Sequence, residues 1–288
     1  MVNARIALSL YWTHLDLSYL RPTFLALHLS GGLIGLPLLI ITLLFANDTS
    51  SQPELVNFCL AWVLNSISYS LSVFKATLDD PHSPLCFAQA AMVQGAPPMT
   101  ALATFLVVFK IWRTFKNPGQ MSGPNHCSES TTQFITISLP YVAFVVFVLI
   151  SVVLQIKIPQ SLTTANGLYC TTSGTPFRRW SVPILSIIML ALMIGFEVAI
   201  AIRYYLARRR IVTSFPLARR RTSLGLVIRI SLFNVYLFVA LGASVVFLTG
   251  KLQPWPYMIQ AALPLMAFLL FASQKVGPFL LPSHITGD

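Results

Sequence analysis

Apolar runs of about 20 residues, almost free of charge, recur from one end of the chain to the other, and nothing else in the sequence restricts the fold as strongly. A helix rising 1.5 Å per residue needs about 20 residues to cross a 30 Å hydrocarbon core. Of the 288 residues, 56% are hydrophobic and 9% are charged, and the mean hydropathy is +0.74. An average soluble domain carries roughly a quarter charged residues, so a soluble globule is excluded. The composition and the runs together predict an all-α membrane protein.

The runs predict a bundle of seven transmembrane helices, over Phe24 to Phe45, Leu55 to Phe74, Leu85 to Trp112, Phe134 to Val153, Trp180 to Tyr205, Leu224 to Leu248 and Tyr257 to Phe271. This divides the chain into an extracellular N-terminus (1–23), the bundle (24–273) and a short cytosolic tail (274–288). The second span is the most polar, with Asn57, Asn65, Ser66, Ser68, Ser70 and Ser72, and is expected to be buried among its neighbours. If it were re-entrant the count would be six. Met1 to Arg21 lacks the charged, apolar, small order of a cleavable signal, so the first span serves for insertion. No internal repeat is visible.

Orientation follows from lysine and arginine in the short loops. With the N-terminus outside, eleven of the nineteen fall on the inner side and seven on the outer, and Arg229 lies within the sixth span. The net charge of +11 is therefore read as attraction to an anionic inner leaflet at the plasma membrane, not to nucleic acid. The connection between the fifth and sixth spans decides the bias, with Arg208, Arg209, Arg210, Arg219, Arg220 and Arg221; the third span ends in Lys110, Arg113 and Lys116. These nine form the expected contact surface for lipid or a cytosolic partner, and a plain positive-inside anchor is the simpler alternative. Asn47-Asp48-Thr49 matches a glycosylation acceptor, which this topology places in the cytosol and leaves without sugar.

Four cysteines occur, at 59, 86, 127 and 170. In this topology only Cys86, at the outer end of the third span, and Cys170, in the outer loop between the fourth and fifth, face the oxidising side, so a Cys86–Cys170 disulfide is expected. The alternative is a pair of unlinked small apolar residues. A bond there ties the longest outer loop across the mouth of the bundle, the arrangement expected of G-protein-coupled receptors.

The segment Cys86-Phe-Ala-Gln89-Ala90-Ala-Met-Val-Gln94 resembles the C-x-x-Q-A-x-x-x-Q pattern at the start of the third helix in cyclic-AMP-receptor-like receptors of amoebae and fungi. The match covers nine residues. It implies a seven-transmembrane receptor that senses an extracellular ligand and signals through a heterotrimeric G protein, with Gln89 and Gln94 on the inward face. The chain departs from rhodopsin-like receptors, having Lys110-Ile-Trp-Arg113 in place of D-R-Y and no N-P-x-x-Y in the seventh span, so the switches of that family do not transfer.

Two ionisable residues lie inside spans, where a charge costs at least about 2.5 to 3.5 kcal/mol and normally faces a partner or a cavity. Glu197 sits about 9 Å from the inner end of the fifth span, and Arg229 about 7 to 8 Å from that of the sixth. A Glu197–Arg229 ion pair is expected between these helices, the alternative being an arginine that snorkels to the headgroups. Gln89, Gln94, Gln260, Trp180 and Trp255 are the ligand-binding candidates in the outer half, with Tyr257 and His28 nearby; the tryptophans also suit interfacial anchoring. Pro97-Pro98 predicts a kink or an unwound turn in the third span.

Catalysis is not expected. Of the five histidines only His28 lies in a span, so no cluster of metal ligands forms, and no cofactor is implied. Lys275, at the inner end of the seventh span, does not suit a retinal Schiff base. A small-solute transporter is the main alternative, since kinked helices and buried amides also serve a substrate path, but no inverted repeat is visible.

Overall fold

The structure, a computed structural model, describes residues 17–45, 53–74, 83–116, 126–164, 166–174, 176–214, 231–232, 235–236, 238–239 and 253–272. It is built almost entirely of helices. The first span, α1 (Ser18–Phe45), begins as a 3₁₀ turn and an α-helix, passes through a π-helical stretch at His28–Gly35, and returns to α-helix at Leu36–Phe45. Next come α2 (Pro53–Ser70), continued by a 3₁₀ turn over Leu71–Phe74, α3 (Pro84–Lys116), α4 (His126–Lys157) and α5 (Pro176–Ser214). The last, α6 (Pro254–Ala272), coincides with the seventh predicted span. Four of these helices open on proline, where the missing amide is one that helical bonding leaves unpaired anyway.

Among the described residues, six helices are long and apolar enough to cross a membrane. The chain is accordingly a membrane protein. Of the predicted sixth span, only 231–232, 235–236 and 238–239 lie within the described residues, and they are helical. Several helices outrun their apolar runs: α4 begins at His126 and α5 continues to Ser214. Hydropathy measures the thickness of hydrocarbon, whereas backbone hydrogen bonding continues until something ends it.

The central helix is α3, packed against α2, α4 and α5, while α1 packs on α2 and α6. Both α4 and α5 carry long exposed apolar faces, including Phe134, Val145, Leu149, Ile187 and Ile188, which lipid covers. In contrast α2 is largely enclosed, and Asn57, Asn65, Ser66, Ser68, Ser70 and Ser72 are all buried. The Ser68 and Ser70 hydroxyls donate to the carbonyls of Leu64 and Ser66 one turn back, and the Asn57 amide donates to Ile137 O of α4 at 3.2 Å.

Pro97-Pro98 does not unwind α3, which is helical through Pro84–Lys116. The prolines remove two amide donors, but their fixed φ is itself helical. The Thr100 hydroxyl donates to the carbonyls of Ala96 and Pro97 at 3.2 and 3.1 Å, and Pro98 is enclosed. Packing thus keeps helical what local sequence tends to unwind.

Glycines bring α1 onto its neighbours. A Cβ at Gly31 would overlap the Leu265 backbone of α6, one at Gly32 the Ser66 side chain of α2, and one at Gly35 the Phe268 ring. Gly195 of α5 faces open space. Gly31→Ala must push two helices apart and is expected to lower stability in detergent by about 1–3 kcal/mol. Gly195→Ala is expected to leave stability unchanged or raise it by up to about 1 kcal/mol, through helix propensity alone. Thermal unfolding of the two variants in parallel separates contact from propensity.

Candidate functional site

The segment between α4 and α5 meets residues of α1, α2, α3 and α6. This segment forms a short antiparallel ladder of β1 (Leu162–Thr163) and β2 (Thr171–Thr172), with Leu162 opposite Thr172 and Thr163 opposite Thr171. The pleat falls within a chain otherwise read as all-α. Between the strands, the Asn166 side-chain oxygen accepts from the amides of Leu168 and Tyr169 at 3.1 and 3.3 Å, closing a tight turn.

Cys170 bonds to Cys86 at the head of α3, so the disulfide expected from the distribution of cysteines is formed. Cys59 is free and buried in α2. Beside the disulfide, the Gln89 amide reaches three backbone groups. Its nitrogen donates to the carbonyls of Tyr69 and Ser68 at 3.1 and 3.3 Å, and its oxygen accepts from the Cys170 amide at 3.1 Å. One fully buried side chain therefore joins α2, α3 and the loop.

The tie drives the loop into the bundle. Leu168 and Tyr169 are 0% and 5% exposed, which makes them core residues although they belong to a connecting segment. The Tyr169 ring stacks on Phe24 of α1 with centroids 5.7 Å apart, meets Tyr69 of α2 edge-on at 5.0 Å, and lies 6.3 Å from Tyr257 of α6. Below these rings His28 stacks on Tyr69 at 5.3 Å and meets Phe24 at 4.8 Å. Its Nδ1 lies 3.4 Å from the Ser66 hydroxyl, and its buried Nε2 has no hydrogen-bond partner among the described residues. Gln260 donates to the Tyr69 hydroxyl at 2.8 Å and closes the α6 side.

The sequence-based ligand candidates are thus dispersed. Gln260 reaches the aromatic cluster. Gln89 is occupied in holding the loop, and Gln94 donates to the Ser181 hydroxyl of α5 at 3.4 Å. Trp180 and Trp255 are exposed, the Trp255 indole donating to Gln253 at 2.6 Å. Phe24, Tyr69 and Tyr169, which line the site, were not singled out by the sequence. The adjacency of Tyr169 to the paired cysteine was the available signal. A separate cleft of about 230 Å³, lined by Phe87, Gln155, Ile156, Pro159 and Leu162, lies beside the ladder.

At the opposite end, Lys110 of α3 pairs with Glu54 in the first turn of α2. Lys110, an expected contact for lipid or a cytosolic partner, is 44% exposed. Its charge is also shared with Glu54, an acid just outside the predicted second span. Arg113 is exposed. The side chains of Lys116, Arg208, Arg209 and Arg210, and residues Arg219, Arg220 and Arg221, lie outside the described residues. Glu197 is half-buried on α5, next to Phe196, whose ring packs on Phe105, Phe109 and Trp112 of α3. Its expected partner Arg229 lies outside the described residues, as does Asn47. Among the described residues, no three of His, Cys, Asp and Glu come together as metal ligands.

No family model and no curated protein matches the chain.

Gln89→Leu leaves three backbone groups without their partner and is expected to lower stability by about 1–3 kcal/mol, with faster hydrogen exchange at the Cys170 amide. For Glu54 and Lys110, a double-mutant cycle with Glu54→Gln and Lys110→Met should give a coupling of about 0.2–1 kcal/mol, because the lysine is 44% exposed and solvent screens the pair.

Proposed function

We propose that the chain is a G-protein-coupled-receptor-like receptor of seven transmembrane helices at the plasma membrane. Its N-terminus lies outside, its ligand binds at the disulfide end, and a heterotrimeric G protein meets the opposite end. The observation that carries this reading is the loop between α4 and α5, pinned to the head of α3 by Cys86–Cys170 and folded over the mouth of the bundle. A bundle that only anchors has no need of a covalently fixed cover with a buried aromatic finger. The nine-residue resemblance at Cys86–Gln94 and the bias of basic residues to one side support the same reading.

The mechanism is linkage between two ends. A ligand that binds one arrangement of the helices more tightly than another shifts the population by that difference in affinity, and the opposite end changes shape with it. Arg208 to Arg210 and Arg219 to Arg221 provide a basic surface for the anionic inner leaflet and for an acidic face of the G protein. Glu197 and Arg229 hold the fifth and sixth spans in the resting arrangement. The buried Nε2 of His28, Oδ1 of Asn57 and Nδ2 of Asn65, which have no partner among the described residues, favour a polar solute path through a transporter as the second reading.

The test is nucleotide exchange on G-protein subunits of the fungal and amoebal type, co-expressed with the chain in membranes. Exchange above that of membranes lacking the chain is expected. Solute uptake without exchange selects the transporter. In the same assay, Glu197→Arg is expected to raise basal exchange and the added Arg229→Glu to lower it again; loss without recovery removes the ion pair from the mechanism.

A further inference from the structure

Tyr169 belongs to a loop, yet its ring is packed as tightly as the helices around it. The chain reaches this position by two turns that only glycine adopts readily, Gly167 at φ 67° and Gly174 at φ 75°, which bracket the inserted segment. The backbone around it is held by the two-residue ladder, the Asn166 side chain, the bond from Ser173 N to Ser161 O at 2.6 Å, the Gln89 side-chain oxygen on the Cys170 amide and the Cys86–Cys170 disulfide. The Tyr169 ring itself contacts Phe24, Tyr69 and Tyr257, one aromatic from each of three helices. The receiving rings come from helices that pack on each other independently of the loop, through Gly31, Gly32 and Gly35. A tethered side chain thus occupies the space between three helices that also touch one another directly.

We propose that this recess is a binding site for a small flat aromatic molecule, and that Tyr169 is its built-in occupant, displaced when the molecule enters. The ligand chemistry follows from the walls. One ring presents a face to Tyr169 and another meets it edge-on, a geometry selecting a planar π-system over an aliphatic group of equal volume. Just beyond, the Gln260 amide on the Tyr69 hydroxyl gives the wall a polar edge, which suits a ring bearing a hydroxyl. Below lies the buried His28 Nε2, without a partner among the described residues, a polar group that a ligand longer than a tyrosine side chain would reach. Cys86–Cys170, next in sequence to Tyr169, limits how far the displaced ring can travel and keeps it in competition with the ligand.

This inference gives a ligand class to the receptor reading above and rests on it for its physiological meaning. Its test reads binding alone, so either can fail without the other. Full-length wild type, Tyr169→Ala and Tyr169→Ala with Phe24→Ala are placed in lipid nanodiscs. Each is titrated with p-cresol, the tyrosine side chain cut at Cβ, and with 4-methylcyclohexanol, its non-aromatic counterpart. In Tyr169→Ala, p-cresol is expected to raise the unfolding temperature at about ten-fold lower concentration than 4-methylcyclohexanol, a preference lost when Phe24 is also removed. Equal effects of the two probes, or no effect of either, overturn the site. The wild type gives a measurement that does not depend on the variant folding. Saturating p-cresol is expected to speed hydrogen exchange across 166–172 by about ten-fold, while 4-methylcyclohexanol does not. Unchanged exchange shows that Tyr169 is fixed core packing and overturns the displacement.

Discussion

The bond between Cys86 and Cys170, together with the Gln89 amide beside it, decides the form of one whole end of the molecule. Without it, the segment between α4 and α5 would have no reason to turn inward, since a connecting loop is normally stabler in water than among apolar rings. The covalent tie brings the loop to the head of α3. The Gln89 amide then ties the same point to the last turns of α2, and Leu168 and Tyr169 are delivered into the space between α1, α2 and α6. Because α3 packs against α2, α4 and α5, the tie at its head joins the loop to the central helix of the bundle.

The polar interior of α2 obeys a second constraint, that hydrocarbon supplies no hydrogen bonds. A helix with so many serines and asparagines is stable in a membrane only where protein surrounds it, and α1, α3 and α4 do so. Serine hydroxyls close onto their own helix, whereas asparagine needs a partner on a neighbour, as Asn57 finds at Ile137. The close approach of α1 through Gly31, Gly32 and Gly35 completes the enclosure. The G-x-x-x-G spacing of Gly31 and Gly35 is a sequence signal for such contact, set within a long apolar run. The π-helical stretch at His28–Gly35 coincides with this approach and leaves no mark in hydropathy.

The opposite end is organised by charge and by apolar packing. Phe58, Trp62 and Phe271 form an aromatic contact between α2 and α6, and the Glu54–Lys110 pair lies at the same end, joining α2 to α3. A lysine at the end of a span looks, from sequence, like every other positive-inside residue. Only the position of Glu54 on a different helix distinguishes it.

The sequence by itself determined that the chain crosses a membrane as helices, approximately where each described span lies, and that α2 is interior. These follow from sums over neighbouring residues, since hydropathy over about 20 residues competes directly with the free energy of leaving water, and local composition carries that sum. The tertiary structure alone decided that Tyr169 is core, that Gln89 holds the loop, that Lys110 meets Glu54, and that α3 runs unbroken through Pro97-Pro98. Each of these depends on one side chain lying within a few ångströms of another far away in the chain. Hydropathy and periodicity average over neighbours in sequence, and a contact between distant residues leaves no trace in that average.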